Sequence, residues 1–255
     1  MRFSVLAVEL STQQAVDSRE LLHDIAEFAA RENVTCILLT GKDRSLPSAQ
    51  AATPTASSHA ETIASELSNI GLRYETLLSH PGSADAPSSR SALLTQLSLL
   101  AEIRRDEVDQ TAAVAAGRLA VAPRSAIDAY SVVTSGQDPH SSLKSALELV
   151  DATEEILAKR EAERPRRRGP IRRGPKVEDE PVRTRFVCLA GPSTFGQDAV
   201  AHLFSNAKLT RVSQPGGAAP AVFVRPAIKP VASTDVTLAV DGGRNEQASF
   251  VAFDL

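Results

Sequence analysis

Tryptophan is absent from this 255-residue chain, and eight Phe with two Tyr bring the aromatics to only 4%. A protein whose main work is stacking bases or sugars needs more such rings. The expected core is therefore one of Ala, Val, Leu and Ile, the usual filling of α/β layers. Cysteine is almost missing too: Cys36 and Cys188 lie about 150 positions apart, with no CxxC and no Cys/His cluster. That gives no support to a zinc site or a disulfide framework, and buried reduced thiols are expected. The histidines, His23, His59, His80, His140 and His202, are scattered without ligand spacing or a matching carboxylate pair, so none is nominated as a base and no metal site is expected. No apolar run approaches the roughly eighteen residues of a membrane span. The first residues carry one positive charge and a short apolar stretch, but polar and acidic residues follow where a cleavage region should lie. The expectation is a cytoplasmic protein with no membrane partner. What is present is a 42% hydrophobic content, which excludes disorder over the whole length.

Phe3 to Val8 reads as a buried strand, Asp17 to Ala30 as an amphipathic helix capped by Asp17 or Ser18, and Val34 to Leu39 as a second buried strand. A connection of helical length predicts that these strands are parallel. A Ser/Ala/Pro/Thr-rich loop leads to a helix around Glu61 to Ile70, with Gly71 as its C′ residue, and then to a third strand at Leu72 to Ser79. Leu93, Leu97, Leu100 and Ile103 mark a helical stripe from Ser89 to Arg105. The alternation β-α-β-α-β-α argues for an open parallel sheet. From Asp106 to Glu163 the chain is Ala-rich and reads as helical, most clearly over Ser141 to Ala162. Arg164 to Pro181 mixes arginines with Pro and Gly, then an acidic run, and reads as a flexible, charged linker or an exposed loop. Phe186 to Ala190 and Pro220 to Pro226 are further strands, separated by a turn at Gly191 to Gly196 and a short helix from Gln197 to Phe204. Val236 to Val240 is a last strand, and Gln247 to Phe253 a candidate half-helix.

The two ends of the chain resemble each other: Val5-Leu6-Ala7-Val8-Glu9-Leu10-Ser11 is matched by Thr237-Leu238-Ala239-Val240-Asp241-Gly242-Gly243. On this pattern the chain resembles the universal stress protein family, whose first strand ends in a V-D-G-S-like motif. Gly71 to Leu78 followed by His80-Pro81-Gly82 is similar to that family's third strand and following loop. Pro220-Ala221-Val222-Phe223-Val224-Arg225-Pro226 is similar to its last strand. The resemblance implies an α/β fold with an open parallel sheet, Rossmann-like and of the adenine nucleotide alpha hydrolase type. Residues 1–105 and 185–226 would form that domain, 106–184 a helical and basic disordered insertion, and 227–255 a partial second repeat or an added C-terminal strand. Members that bind ATP carry G-x-x-G, nine residues, then G-S or G-T. Here Ser193-x-x-Gly196, nine residues and Asn206-Ala207 stand in those places, so one of three glycines remains. Glu9 replaces the usual Asp and is one methylene longer.

The resemblance implies a regulatory or interaction protein of the stress response, not an enzyme, acting as a homodimer or with a protein partner. No cofactor is expected in the first instance. The alternative is nucleotide binding, with ATP or AMP held by Glu9, Ser11, Ser193, Gly196 and Asn206. A further alternative is nucleic-acid or acidic-partner binding through Arg166, Arg167, Arg168, Arg172 and Arg173, against which stand the adjacent Glu178-Asp179-Glu180 and the lack of interleaved aromatics. The stretch ending Leu39-Thr40-Gly41 is also similar to the first strands of the crotonase fold, but the glycine-rich oxyanion segments of that chemistry do not follow.

Overall fold

The structure is a computed structural model. It describes residues 2–10, 18–41, 56–78, 90–96, 99–102, 113–122, 125–133, 143–144, 147–148, 150–152, 154–156, 159, 183–191, 193–196, 200–214 and 218–255. The strands are β1 (Arg2–Leu10), β2 (Cys36–Gly41), β3 (Glu75–Leu78), β4 (Arg90–Thr95), β5 (Leu99–Glu102), β6 (Ala113–Ala122), β7 (Ser125–Val133), β8 (Arg183–Gly191), β9 (Thr210–Arg211), β10 (Ala221–Arg225), β11 (Ala232–Val240) and β12 (Arg244–Asp254). They form two six-stranded sheets, ordered β11-β12-β1-β2-β4-β3 and β5-β6-β7-β8-β10-β9. Each sheet has a single parallel pair, β1/β2 in the first and β7/β8 in the second; the other pairings are antiparallel.

Strand alternation explains the layers. In β1, Phe3, Val5 and Ala7 face the second sheet, where they meet Ile127 and Ala129 of β7, Phe186, Cys188 and Ala190 of β8, and Val222 and Val224 of β10. The residues between them, Leu6, Val8 and Leu10, face outward and are covered by α1 (Arg19–Arg31) and α2 (Ala56–Asn69). The outer face of the second sheet carries Tyr130, Val132, Val187, Leu189 and Phe223, under Leu143, Leu147 and Val150 of the helical residues within 143–159 and under Phe204 of the short helix Ala201–Asn206. The result is a helix-sheet-sheet-helix sandwich. No described helix is long and apolar enough to cross a membrane.

The open parallel sheet expected from the sequence is therefore replaced by two mixed sheets packed face to face. The helix expected over Ser89 to Arg105 is instead β4 and β5. Leu93 and Leu94 are both fully buried, one between the sheets and the other under the helices, because that strand is covered on both faces. The Ala-rich stretch read as helical contains β6 and β7, whose pairing overrides the helix preference of alanine. The expected half-helix at Gln247 to Phe253 belongs to β12, which lies between β1 and β11. Val5–Leu10 and Thr237–Val240, the arms of the internal repeat, are strands of one sheet separated by β12. Several expectations do match the observed elements: the parallel β1/β2 pair, Ser18 as the cap of α1 with its hydroxyl accepting from Leu21 N–H at 3.1 Å, and Gly71 in the left-handed region at φ +87°.

Candidate functional site

The two parallel pairs run in the same direction. At their starts Phe3 of β1 stands edge-on to Phe186 of β8, ring centroids 6.0 Å apart. At their carboxyl ends the layer between the sheets changes from apolar to polar. In β1 the inward series Phe3, Val5, Ala7 continues to Glu9, which is 7% exposed; in β2 the series Cys36, Leu38 continues to Thr40, and in β7 Ile127, Ala129 continues to Ser131. Beyond the end of β8 the backbone N–H of Ser193 donates to Glu9 Oε2 at 2.8 Å. Ser131 Oγ donates to the Leu39 carbonyl at 2.9 Å, and Thr40 Oγ1 donates to the Val8 carbonyl at 3.3 Å. Two of these bonds cross from the side of one sheet to the other, so polar contacts stitch this end of the interface.

Glu9 and Ser193, singled out in the sequence as nucleotide-site candidates, are thus brought into direct contact across 184 positions of chain. Gly196 closes the single 3-10 turn Ser193–Gly196 that follows β8. Asn206 ends the short helix Ala201–Asn206 and is exposed. Ser11, Arg166, Arg167, Arg168, Arg172 and Arg173 lie outside the described residues. Thr40 and Ser131 were not nominated. They are ordinary strand residues in the sequence, and only the fact that both sheets are inward-facing at this end gives them a common position.

Gly191, the last residue of β8, shows how tightly the turn is built: a Cβ there would overlap the ring of Phe195. Phe195 in turn packs against Phe204, which stacks on Phe223 with the planes 5° apart. This aromatic cluster fixes the backbone that carries the Ser193 N–H. Among the described residues no three His, Cys, Asp or Glu come together as a cation cage. A divalent ion takes several oxygen ligands; among the described residues this end offers the Glu9 carboxylate as one. No step is assigned to a metal here.

The architecture defines the class: it is the sandwich of the endonuclease/exonuclease/phosphatase fold. The solved structures similar to this chain include an endonuclease/exonuclease/phosphatase from Bacteroides vulgatus, at 9% identity and a TM-score of 0.62 over 100% of this chain and 99% of that one. A mannosyl-6-phosphatase from Bacteroides thetaiotaomicron matches at 8% identity and a TM-score of 0.57, over 99% of this chain and 100% of that one. TDP2 from D. rerio, complexed with a single-strand DNA product, matches at 11% identity and a TM-score of 0.53, over 100% and 99%. At such identities the likeness establishes the fold. No protein-family model matches the sequence, and no curated protein does. These neighbours overturn the universal-stress-protein resemblance, the Rossmann-like sheet and, with them, the expectation of a non-catalytic stress-response regulator. Among the solved structures that share this architecture are ones titled as endonuclease/exonuclease/phosphatase family proteins, an endonuclease domain and a mannosyl-6-phosphatase.

Proposed function

We propose that this chain processes a phosphoester bound over the carboxyl ends of β1, β2, β7 and β8. The observation that carries the reading is the polar step between the sheets, where Glu9, Thr40, Ser131 and Ser193 succeed an apolar layer at one end of the sandwich. Phosphoryl transfer asks the protein mainly for fixed polar groups and positioning, and this end supplies groups held by backbone bonds. In hydrolysis, water attacks phosphorus as it gives up one proton, the phosphorus–oxygen bond to the alcohol breaks, and the departing alkoxide takes a proton from bulk water, to which the base returns the one it accepted. Glu9 is assigned the proton of the attacking water, with the Ser193 N–H setting the orientation of its carboxylate. The names of the fold neighbours support the substrate class, and they span nucleic-acid and sugar-phosphate chemistry.

The test is release of product by the full chain from three probes: bis(p-nitrophenyl) phosphate, mannose 6-phosphate and a labelled single-stranded oligonucleotide, each with and without added magnesium or manganese. At least one probe is expected to turn over, with Glu9→Gln lowering the rate by about a hundredfold or more while circular dichroism is unchanged. A folded chain that releases nothing from any probe under any of these conditions refutes the proposal. If the oligonucleotide is the substrate, the basic run from Arg164 to Arg173 is the sequence feature suited to hold its backbone. Binding should then weaken steeply with salt.

A further inference from the structure

Four strands end the two sheets: β11 and β3 in the first, β5 and β9 in the second. An edge strand offers N–H and C=O groups to any extended chain that approaches, and short length is one way in which a fold limits that approach. Among the described residues β3 and β5 have four residues each and β9 has two, so they offer little. β11 has nine, with Thr234, Val236, Thr237 and Val240 β-branched, Asp235 as its one charge and no proline. By length and composition it is the edge best suited to strand addition.

Pairing with β12 fixes which of its groups face outward. In an antiparallel ladder alternate residues turn both main-chain groups away from the partner. The Ala239 N–H and the Ser233 C=O are both bonded off the ladder, so the outward set is Ser233, Asp235, Thr237 and Ala239. Side chains from elsewhere in the fold close the two ends of that set. Asp24 of α1 presents Oδ2, which accepts from the Ala239 N–H at 2.9 Å. At the other end Gln214, which follows β9, donates from Nε2 to the Ser233 carbonyl at 3.3 Å. Each of these two is itself tied to β11. Ser18 Oγ accepts from the Asp241 N–H at 3.0 Å and Asp241 Oδ2 accepts from the Arg19 N–H at 3.1 Å, which fixes the start of α1 against the turn after the strand. Ser233 Oγ donates to the Val212 carbonyl at 2.8 Å, and Arg211 Nη2 donates to the Gln214 carbonyl at 2.6 Å, which fixes the course of the chain over 212–214.

A second copy of this chain is the strand whose pattern fits the edge. With a two-fold axis at Val236, antiparallel self-pairing sets Ser233 opposite Ala239 and Asp235 opposite Thr237, so the two Asp235 carboxylates are not directly opposed. Both end rungs of that ladder need the groups that Asp24 and Gln214 hold. We propose that Asp24 and Gln214 are a pair of plugs that close the β11 edge to a second copy and keep the chain from dimerising there. The device is separate from the phosphoester site and does not rest on that reading.

The test is the mass of the full chain in solution, by light scattering after size exclusion, over a range of protein concentrations. The wild-type chain is expected at the mass of one copy. Asp24→Ala combined with Gln214→Ala should double that mass as concentration rises, with circular dichroism unchanged. Asp24→Asn keeps an acceptor oxygen in place and should leave the mass at one copy. Adding Thr237→Pro to the double variant removes a central outward N–H without touching the ladder to β12, and should return the mass to one copy. A folded double variant that stays at one copy at every concentration overturns the proposal. So does association that survives Thr237→Pro, or a wild-type dimer that Thr237→Pro dissociates. If the double variant does not fold, Gln214→Ala alone leaves α1 intact and should associate at high concentration; its failure to do so overturns the proposal as well.

Discussion

Phe186 is a ring of the second sheet that packs directly against the first. It is fully buried between the sheets, edge-on to Phe3 of β1 at 6.0 Å and to Phe253 of β12 at 4.9 Å between ring centroids. Phe3 and Phe253 are themselves opposite each other in the β1/β12 register, so the ring from the second sheet rests against a pair from the first. Truncation to Ala removes a whole ring from a fully buried apolar cluster, at a cost of about 3–5 kcal/mol. For a chain of this size that corresponds to a fall in melting temperature of roughly 6–20 °C. Urea titration followed by far-ultraviolet circular dichroism gives the stability directly. A double-mutant cycle of Phe186→Leu with Phe253→Leu then isolates the contact across the sheets. Leucine keeps most of the volume, and the coupling left for the ring pair is about 0.5–1.5 kcal/mol. A cost below about 1.5 kcal/mol for Phe186→Ala, or strict additivity in the cycle, would refute the face-to-face packing of the sheets.

The buried Arg118–Asp128 pair gives a second test: Asp128→Ala takes the bidentate carboxylate from a nearly inaccessible guanidinium and should cost about 3–5 kcal/mol by denaturant titration. Arg118→Met with Asp128→Leu should cost much less, and equal costs would refute the reasoning. Ser18→Ala removes an oxygen that accepts from both Leu21 N–H and Asp241 N–H, tying α1 to the end of β11, and should cost about 1–2 kcal/mol; a change of a few tenths would be contrary. The thiols provide a pH test. Burial pushes Cys188 up to about 12 and Cys36 well above its ordinary value. A raised folded pKa contributes stability that is complete below the unfolded thiol value and is lost as pH rises toward the folded one. Urea midpoints should therefore fall from about pH 9 upward, and less steeply in Cys188→Ala relative to its own neutral-pH midpoint. At pH 8 the native chain should resist thiol-specific reagents that label both cysteines after unfolding, and rapid native labelling would contradict their burial.

The early part of the fold was legible because local signals there agree with tertiary packing. Leu21, Leu22, Ile25 and Phe28 have helical spacing and are buried on one side of α1, and the connection between β1 and β2 leaves a parallel pair as the natural outcome. What misled was the hydrophobic continuity of strands covered on both faces. Val5 to Val8 looks the same whether its two faces meet two layers of helices or one layer of helices and a second sheet. Leu93 and Leu94 lost their period-two signature for the same reason, and Leu97 and Leu100 then completed a helical spacing by coincidence. The alanines of Ala113 to Ala122 favour a helix in isolation, and only pairing with β7 along its length makes them a strand. The candidate site was half legible: Glu9 and Ser193 were nominated through a resemblance that the fold does not support, yet the structure brings them together for a different reason. Nothing local marks Thr40 or Ser131.

That different reason is geometric. Two parallel pairs, one in each sheet, point the same way, so the inward-facing position at the end of each strand lies at a common mouth. An apolar residue there would extend the apolar layer, as Ala190 does in β8. In the other three strands the position is a carboxylate or a hydroxyl, and the partner of the carboxylate is a backbone N–H supplied by the turn after the fourth. A buried carboxylate is costly unless bonded, so the sequence must retain both the Glu9 side chain and the course of the turn that places Ser193. Gly191 is what the turn requires, because Phe195 occupies the space of any Cβ at that residue. Gly191→Ala should therefore displace the Phe195 ring or the turn, and either movement takes the Ser193 N–H from Glu9. The expected outcome is that Gly191→Ala lowers phosphoester turnover as Glu9→Gln does, and lowers stability more than Glu9→Gln does. Full activity in a stable Gly191→Ala protein would separate the turn from the chemistry and remove the Glu9–Ser193 contact from the mechanism.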